Sequence, residues 1–340
     1  MKTNRLFNFS SCCFAAALCF TNLNSPVRAD AVVTSAQESS LAAALQAGGH
    51  VTFSFDGTIL LTTPITISNN AILDGTNHSI TISGGGAMQL FNLPAGYSLA
   101  LWNLTLANGL ERGAHTGYFG LYPGPAYGGA ISSAGDLDVE NCVLTNNSVI
   151  CPGITGYDGK STFGGAIYNT GTLTISNALF VNNSAIGGSG AAEHVSASGS
   201  GYGGALCSGG GMVCLGNVVF SNNAAVGGIG ISVIYGGEAG QAYGGAISAS
   251  QGVINANNIQ VIHNSATGGN ANQFAGYFGP VNGGSAYGGA LYLTGSTVAI
   301  SNSVFSNNST TGTSADGGSP GLSYGGCIYN TGAAFLSTCG

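Results

Sequence analysis

Asp136, Asp138 and Glu140 stand at i, i+2 and i+4, the densest acidic group in the chain. Two carboxylates flanking one bond can hydrolyse a glycoside, and clustered acids with a strong base can hold Ca²⁺ for a lyase. The segment Asp136-Leu137-Asp138-Val139-Glu140 alternates charged and apolar residues, which reads as a strand with the acids on one face. Neighbouring acids would then be roughly 7 Å apart, poor spacing for one Ca²⁺, whose oxygens sit at about 2.3–2.6 Å. A solvated charged stripe is the better expectation. Glu111, Arg112 and His115 form the other mixed cluster, expected to bridge charges within a loop. His50, His78, His194 and His263 share no spacing, and no Gly-x-Ser-x-Gly or phosphate loop occurs. No catalytic, metal-binding or cofactor-binding residue is therefore assigned, and no cofactor is expected.

The elements that would position such residues are repetitive. An aromatic residue followed by Gly-Gly-Ala-Ile or Gly-Gly-Ala-Leu starts at Tyr127, Phe163, Tyr202, Tyr243 and Tyr287, and Gly-Gly-Cys-Ile follows Tyr324. About sixteen or seventeen residues after each first glycine, an apolar residue precedes an Asn by three places. These pairs are Leu144 with Asn147, Phe180 with Asn183, Phe220 with Asn223, Val261 with Asn264, and Phe305 with Asn308. Self-similarity at such a period marks a solenoid. Within Phe163–Ala185, short strands are expected at Ala166–Tyr168, Thr172–Ile175 and Leu179–Val181. Strands this short cannot form a sheet alone, but stacked on the next unit they pair in parallel and bury a continuous apolar column.

The expected fold is all-β, a right-handed parallel β-helix of the pectin-lyase-like kind. Phe180, Phe220 and Phe305 would stack inside it, and the recurrent Asn amides would bond their counterparts one coil away. Counting by unit aligns Asp136, Asp138 and Glu140 with Thr172, Thr174 and Ser176, and then Thr172 and Thr174 with Met212 and Cys214. A regular Thr array for ice or crystal binding is thereby excluded. The Asn-x-Ser sequons, as in Asn146-Asn147-Ser148, are products of the repeat itself.

Residues 1–29 read as a secretory signal peptide: Lys2 and Arg5, the apolar Cys12–Phe20, then Val27-Arg28-Ala29 before Asp30. Residues 30–49 read as an N-terminal cap, with Ser35-Ala36-Gln37-Glu38 in the form of a capping box and a helix running to Gly48-Gly49. Residues 50–126 read as leading coils, with strands at Val51–Phe55, Ile65–Ile67, Ala71–Leu73, Ser79–Ile82, Met88–Leu93 and Leu99–Leu106. Residues 127–340 are the repeat coils. Counting from Gly325 puts the next Phe at or just beyond 341, so the chain is expected to stop inside a coil, as a fragment or truncated product would.

After removal of the signal, Arg112 and Lys160 are the remaining basic residues against twelve acids, which argues against nucleic acid as a partner. No run of eighteen apolar residues remains to form a transmembrane helix in the mature chain. Six cysteines remain, Cys142, Cys151, Cys207, Cys214, Cys327 and Cys339; local bridges Cys142–Cys151 and Cys207–Cys214 and simple burial are both open. Gly-rich insertions such as Ile186–Gly201 and Thr267–Ala286 should project from one corner of every coil as a binding fringe. Tyr157, Tyr235, Phe274, Tyr277 and Phe278 are their candidate contact residues.

Gly128 to Ile131, Gly164 to Ile167, Gly203 to Leu206, Gly244 to Ile247 and Gly288 to Leu291, with Phe-x-x-Asn intact at Phe180, Phe220 and Phe305, resemble the repeat of the chlamydial polymorphic outer-membrane proteins and related bacterial β-helix passenger domains. The likeness covers roughly Tyr127–Gly340; Leu144 and Val261 depart from it by apolar replacement. It implies a secreted or cell-surface adhesin, associated with the bacterial outer membrane or extracellular, binding a host or neighbouring-cell surface receptor or glycan. Nothing after Tyr324 offers the strands of the C-terminal barrel that complete members carry. The alternative on the same scaffold is a polysaccharide-active enzyme of the pectate lyase or polygalacturonase kind.

Overall fold

The computed structural model describes residues 30–113, 115–116, 122–153, 158–190, 197–232, 237–273 and 280–337. The expected signal peptide, His194, Cys339 and the insertion aromatics Tyr157, Tyr235, Phe274, Tyr277 and Phe278 lie outside them.

The chain winds as a parallel β-helix. One repeat coil has five short strands, Gly201–Tyr202, Leu206–Ser208, Met212–Gly216, Val219–Ser221 and Ala224–Val226. Each pairs in parallel with its counterpart in the coils on either side. We number the resulting walls 1 to 5 in that order. Wall 3 is ten-stranded, walls 2 and 4 are eight-stranded, and walls 1 and 5 are six-stranded. The difference arises because the coils before residue 110 contribute only to walls 2, 3 and 4; wall 5 starts at Leu110–Arg112 and wall 1 at Ala126–Tyr127.

Corners are set by residues that tolerate positive φ. Asn141, Asn177, Asn217, Asn258 and Asn302 turn the chain from wall 3 to wall 4, each with φ between 51° and 56°. Among non-glycine residues Asn adopts this left-handed conformation most readily. The first glycine of each Gly-Gly pair turns wall 1 into wall 2; at Gly164, φ is 71° and an added Cβ would lie 2.0 Å from the Ile167 carbonyl oxygen. The expected strand Leu99–Leu106 is broken in the same way at Asn103, φ 57°, into Ser98–Trp102 and Leu104–Ala107. A strand at Gly57–Leu60, absent from the sequence expectation, starts wall 4.

Alternate residues of walls 2, 3 and 4 fill the interior. Along wall 4 the inward column is Ile59, Ile82, Leu106, Leu144, Phe180, Phe220 and Val261, all buried, then the half-buried Phe305. Phe180 and Phe220 stack with centroids 4.9 Å apart. Phe305 shares the column but not the stack, because Val261 stands between it and Phe220. Beside them runs an amide ladder. Asn147 donates through Nδ2 to Asn183 Oδ1 at 3.0 Å, Asn183 to Asn223 at 2.9 Å, Asn223 to Asn264 at 2.9 Å and Asn264 to Asn308 at 3.0 Å. Each Oδ1 also accepts the backbone N–H of the preceding Asn. Fully buried amides are thus satisfied by their own repetition.

The N-terminal cap is a helix, Glu38–Ala47, which buries Leu41, Ala44 and Leu45 at the end of the column. The capping box is not formed: Gln37 is the N-cap, without a side-chain bond, and Ser35 Oγ meets Ser40 Oγ at 3.1 Å. Glu38 instead accepts the backbone N–H and hydroxyl of both Thr62 and Thr63 at 2.6–3.1 Å. Four donors from the adjacent coil outcompete one local N–H. Chiefly the Thr62 hydroxyl holds this carboxyl far below its ordinary range, at about 2. The cap segment also contains a strand, Ala31–Val33, which pairs with Gly49–Phe53 and opens wall 3 before the helix begins.

Candidate functional site

The acids at Asp136, Asp138 and Glu140 face outward from wall 3 as expected, with Leu137 and Val139 buried beneath. They are not a freely solvated stripe. Asp138 is half-buried and accepts a hydrogen bond from the indole Nε1 of Trp102, one coil earlier, at 3.0 Å. Register explains the meeting. One outward row reads Thr52, Asp74, Trp102, Glu140, Ser176, and the row beside it His50, Ile72, Ala100, Asp138, Thr174. Because Ala100 is small, the indole can lean over it from its own row towards Asp138.

His50 adds a third group, with its ring centroid 6.2 Å from that of Trp102 and Nε2 3.3 Å from Asp74 Oδ2. Asp74 Oδ1 further accepts from Thr76 N at 2.8 Å, Thr76 Oγ1 at 2.6 Å and Asn103 Nδ2 at 3.2 Å. Burial raises the Asp138 carboxyl; the Trp102 bond opposes this and the charge of Glu140 adds to it. Burial also pushes on Asp74, but the Thr76, Asn103 and His50 hydrogen bonds outweigh it and the net shift is downward. One face therefore gathers two carboxyls tuned in opposite directions, an imidazole and the chain's single tryptophan. His50, Asp74 and Trp102 carried no motif in the sequence; only the register of coils of unequal length joins them to Asp138. Among the described residues no group of three His, Cys, Asp or Glu is arranged to hold a metal.

Two members of the second mixed cluster, Glu111 and Arg112, are not placed as expected. Glu111 and Arg112 lie in a wall 5 strand rather than a loop, and no ion pair joins them among the described residues. Adjacent strand residues point to opposite faces. Burial raises the Glu111 carboxyl.

Neither local disulfide forms. Cys142 and Cys151 are separated by walls 4 and 5, while Cys207 lies in wall 2 and Cys214 in wall 3. Burial is the alternative realised. It pushes the Cys142 and Cys207 thiols up to about 12, so both stay protonated and unreactive at neutral pH.

The aromatic that opens each repeat builds an external ladder on wall 1. Rings of Tyr127, Phe163, Tyr202, Tyr243, Tyr287 and Tyr324 succeed one another at 5.2, 4.9, 4.5, 5.1 and 4.9 Å, with planes within 15° of parallel. Tyr168, Tyr292 and Tyr329 pack against it from wall 2. Burial raises the phenols of Tyr202, Tyr243 and Tyr287, and that of Tyr168 to about 12. Ring faces inside the ladder are covered by their neighbours, so this surface holds coils together rather than offering a flat platform.

The insertions do leave from one corner, between walls 5 and 1, but their bases are not free loops. The outgoing and returning arms bond alternately up the molecule: Gly188 N–H donates to Lys160 O, Gly199 to Gly188, Gly228 to Gly199, Gly240 to Gly228 and Gly269 to Gly240 at 2.8–2.9 Å, then Gly284 to Gly269 and Thr313 to Gly284 at 3.1 Å. A Cβ at Gly269 would lie 1.8 Å from the Gly228 carbonyl oxygen, so side chains are excluded from this neck. Beyond it, Gly230–Ser232 pairs with Ala271–Gln273 and Gly237–Glu238 with Val281–Asn282, both in parallel. The fringe is a stacked rib.

By its fold the chain is a parallel β-solenoid repeat protein. No family model matches it, and no curated protein does. A solved chain described as L. reuteri 53608 SRRP matches over 90% of this chain and 99% of its own at 16% identity, with a TM-score of 0.33. That likeness is too distant to carry a functional argument.

Proposed function

We propose that the chain is a secreted or cell-surface protein of the adhesin or passenger kind, which binds a receptor or glycan of a host or neighbouring cell without chemical turnover. The rib carries this reading: insertions of different lengths are held in register on one side of a regular rod, so variable sequence is displayed on an invariant support. The signal-peptide pattern at residues 1–29 and the resemblance of the repeats to chlamydial-type outer-membrane proteins support it, and with it a place at the bacterial outer membrane or outside the cell. Among the described residues no helix is long and apolar enough to cross a membrane. The test replaces residues 189–198 by a short Gly-Ser link, leaving the Gly188 and Gly199 neck, and likewise shortens the insertion between Gly269 and Gly284. Binding to cell or matrix surfaces should fall while circular dichroism is unchanged. Full binding by both folded variants would refute the rib as the binding element.

One observation favours the polysaccharide-active alternative: Asp74 and Asp138 are shifted in opposite directions, as an acid and base pair would be. Against it, Asp74 already accepts four hydrogen bonds from the protein. Reducing-end release from neutral and acidic polysaccharides, abolished by Asp138→Asn, would establish that alternative.

A further inference from the structure

We infer that the outer face of wall 3 around Trp102 is a carbohydrate-binding site for neutral or amino-substituted pyranose chains, independent of the rib. Trp102 is the only tryptophan of the chain, and it sits half-buried on an outward row where later coils place Glu140, Ser176, Gly216, Asn257 and Ser301. None of those later coils places an aromatic residue there, so the stacking of the wall does not require one. The indole leans over the buried Ala100, and the part of it that stays exposed, beside the half-buried Ile72, offers an apolar surface to the C–H face of a sugar ring. Its rim is made of acceptors. Asp136, Asp138 and Glu140 stand on one side, able to take hydrogen bonds from ring hydroxyl or ammonium groups, while the His50–Asp74 pair, whose carboxylate is already filled by protein donors, walls the other.

The sign of the ligand follows from the charges. Four of the chain's twelve acids, Asp74, Asp136, Asp138 and Glu140, lie on this face. Its two basic residues beyond the signal segment do not: Arg112 is in wall 5 and Lys160 precedes wall 1. An acidic glycan would meet carboxylates without a cationic partner, whereas hydroxyls and ammonium groups would find acceptors. Adjacent strands of the wall are spaced at about 4.8 Å, comparable to one sugar ring, so a chain lying along the solenoid axis could engage Trp102 with one ring and the Asp138 row with the next.

The single tryptophan makes the site its own reporter. Its emission is followed while the protein is titrated with cellohexaose, a chitosan hexamer and an oligogalacturonate. A saturable change is expected with cellohexaose, the chitosan hexamer or both, and none with the oligogalacturonate. Calorimetry with the same probes should show at least tenfold weaker binding for Trp102→Ala and several-fold weaker binding for Asp138→Ala, both checked for unchanged circular dichroism. The rib-shortened variants should bind these sugars as the parent does, which separates failure here from failure of the rib. Silence of the emission with all three probes, a response to the acidic oligomer alone, or undiminished sugar binding by folded Trp102→Ala would overturn the assignment.

Discussion

The coils before residue 110 and those after 126 share one apolar interior but differ in nearly everything polar. Leading coils contribute three walls, have no stacked insertions, and keep coil to coil contact through aliphatic side chains such as Ile59, Ile82 and Leu106. Repeat coils contribute five walls and add three self-complementary columns, the buried amides, the aromatic ladder and the glycine neck. At the top of the amide ladder the Asn is replaced by Gly109, whose N–H donates to Asn147 Oδ1 at 2.8 Å and ends the series. A ladder needs the same residue in every coil, so it constrains the repeats; hydrophobic stacking needs only volume. Freed from that constraint, the leading coils carry His50, Asp74 and Trp102, which meet Asp138 of the first repeat coil on one face.

The largest expected effect is on the repeat side. Phe220→Ala removes a fully buried ring from between Phe180 and Val261 and should cost about 3–5 kcal/mol, read as a shift of the urea midpoint. Ile82→Ala in the leading coils tests the shared column and should fall in the range of about 2–5 kcal/mol. A negligible loss at Ile82 would show that the two regions do not form one cooperative core.

Asn183→Ala comes next. It strips an acceptor from the backbone N–H and Nδ2 of Asn147 and a donor from Leu144 O and Asn223 Oδ1. At about 1–3 kcal/mol for a buried group left unpaired, a loss of roughly 2–4 kcal/mol is expected. Adding Asn223→Ala should cost less than the sum of the singles, since the two share partners. Strict additivity would mean that the ladder is not a coupled unit.

Gly240→Ala should act locally, because its Cβ would lie 1.9 Å from the Gly199 carbonyl oxygen. Faster amide exchange is expected at Gly230–Ser232 and Gly237–Glu238, with the strands of walls 2 to 4 unaffected. Global loss of protection would show that the rib is part of the core rather than attached to it.

The smallest effects lie in the leading coils and the face they form with the first repeat. Glu38 has a depressed folded pKa, so its stabilisation is present above the unfolded value of 4.5 and is lost as pH falls towards about 2. Since the side chain is largely exposed, the effect should stay below about 1 kcal/mol, and Glu38→Gln should remove that part of the acid dependence. Asp138 has the opposite sign: its folded pKa is raised, so its ionisation penalty is absent below 3.8 and grows as pH rises through the folded value. Asp138→Asn should thus be neutral to slightly stabilising at pH 7, and a large loss would mean that the Trp102 bond outweighs the burial of charge.

The recurrence of Gly-Gly-Ala and of Phe-x-x-Asn was enough to define the parallel β-helix, its repeat register and the buried Asn ladder. Where successive coils carry the same residues, translation by one coil maps each side chain onto its like, and counting along the chain is equivalent to measuring between strands. That equivalence gave Asp138 opposite Thr174 and Thr174 opposite Cys214. It failed where the period changes. His50, Asp74, Trp102 and Asp138 come from four coils of unequal length, so no spacing in the sequence announces that they share a face. The insertions likewise differ in length between the glycines that join them, and the Gly188–Gly199–Gly228–Gly240 bonds alternate between arms that are remote in sequence. Ser35 lost its predicted cap because the helix was drawn to Thr62 and Thr63 of another coil. Repetition and apolar alternation, both local, were determined by the sequence alone; the outward face and the rib were decided by lateral packing of unlike segments, which depends on how far each coil travels before it returns.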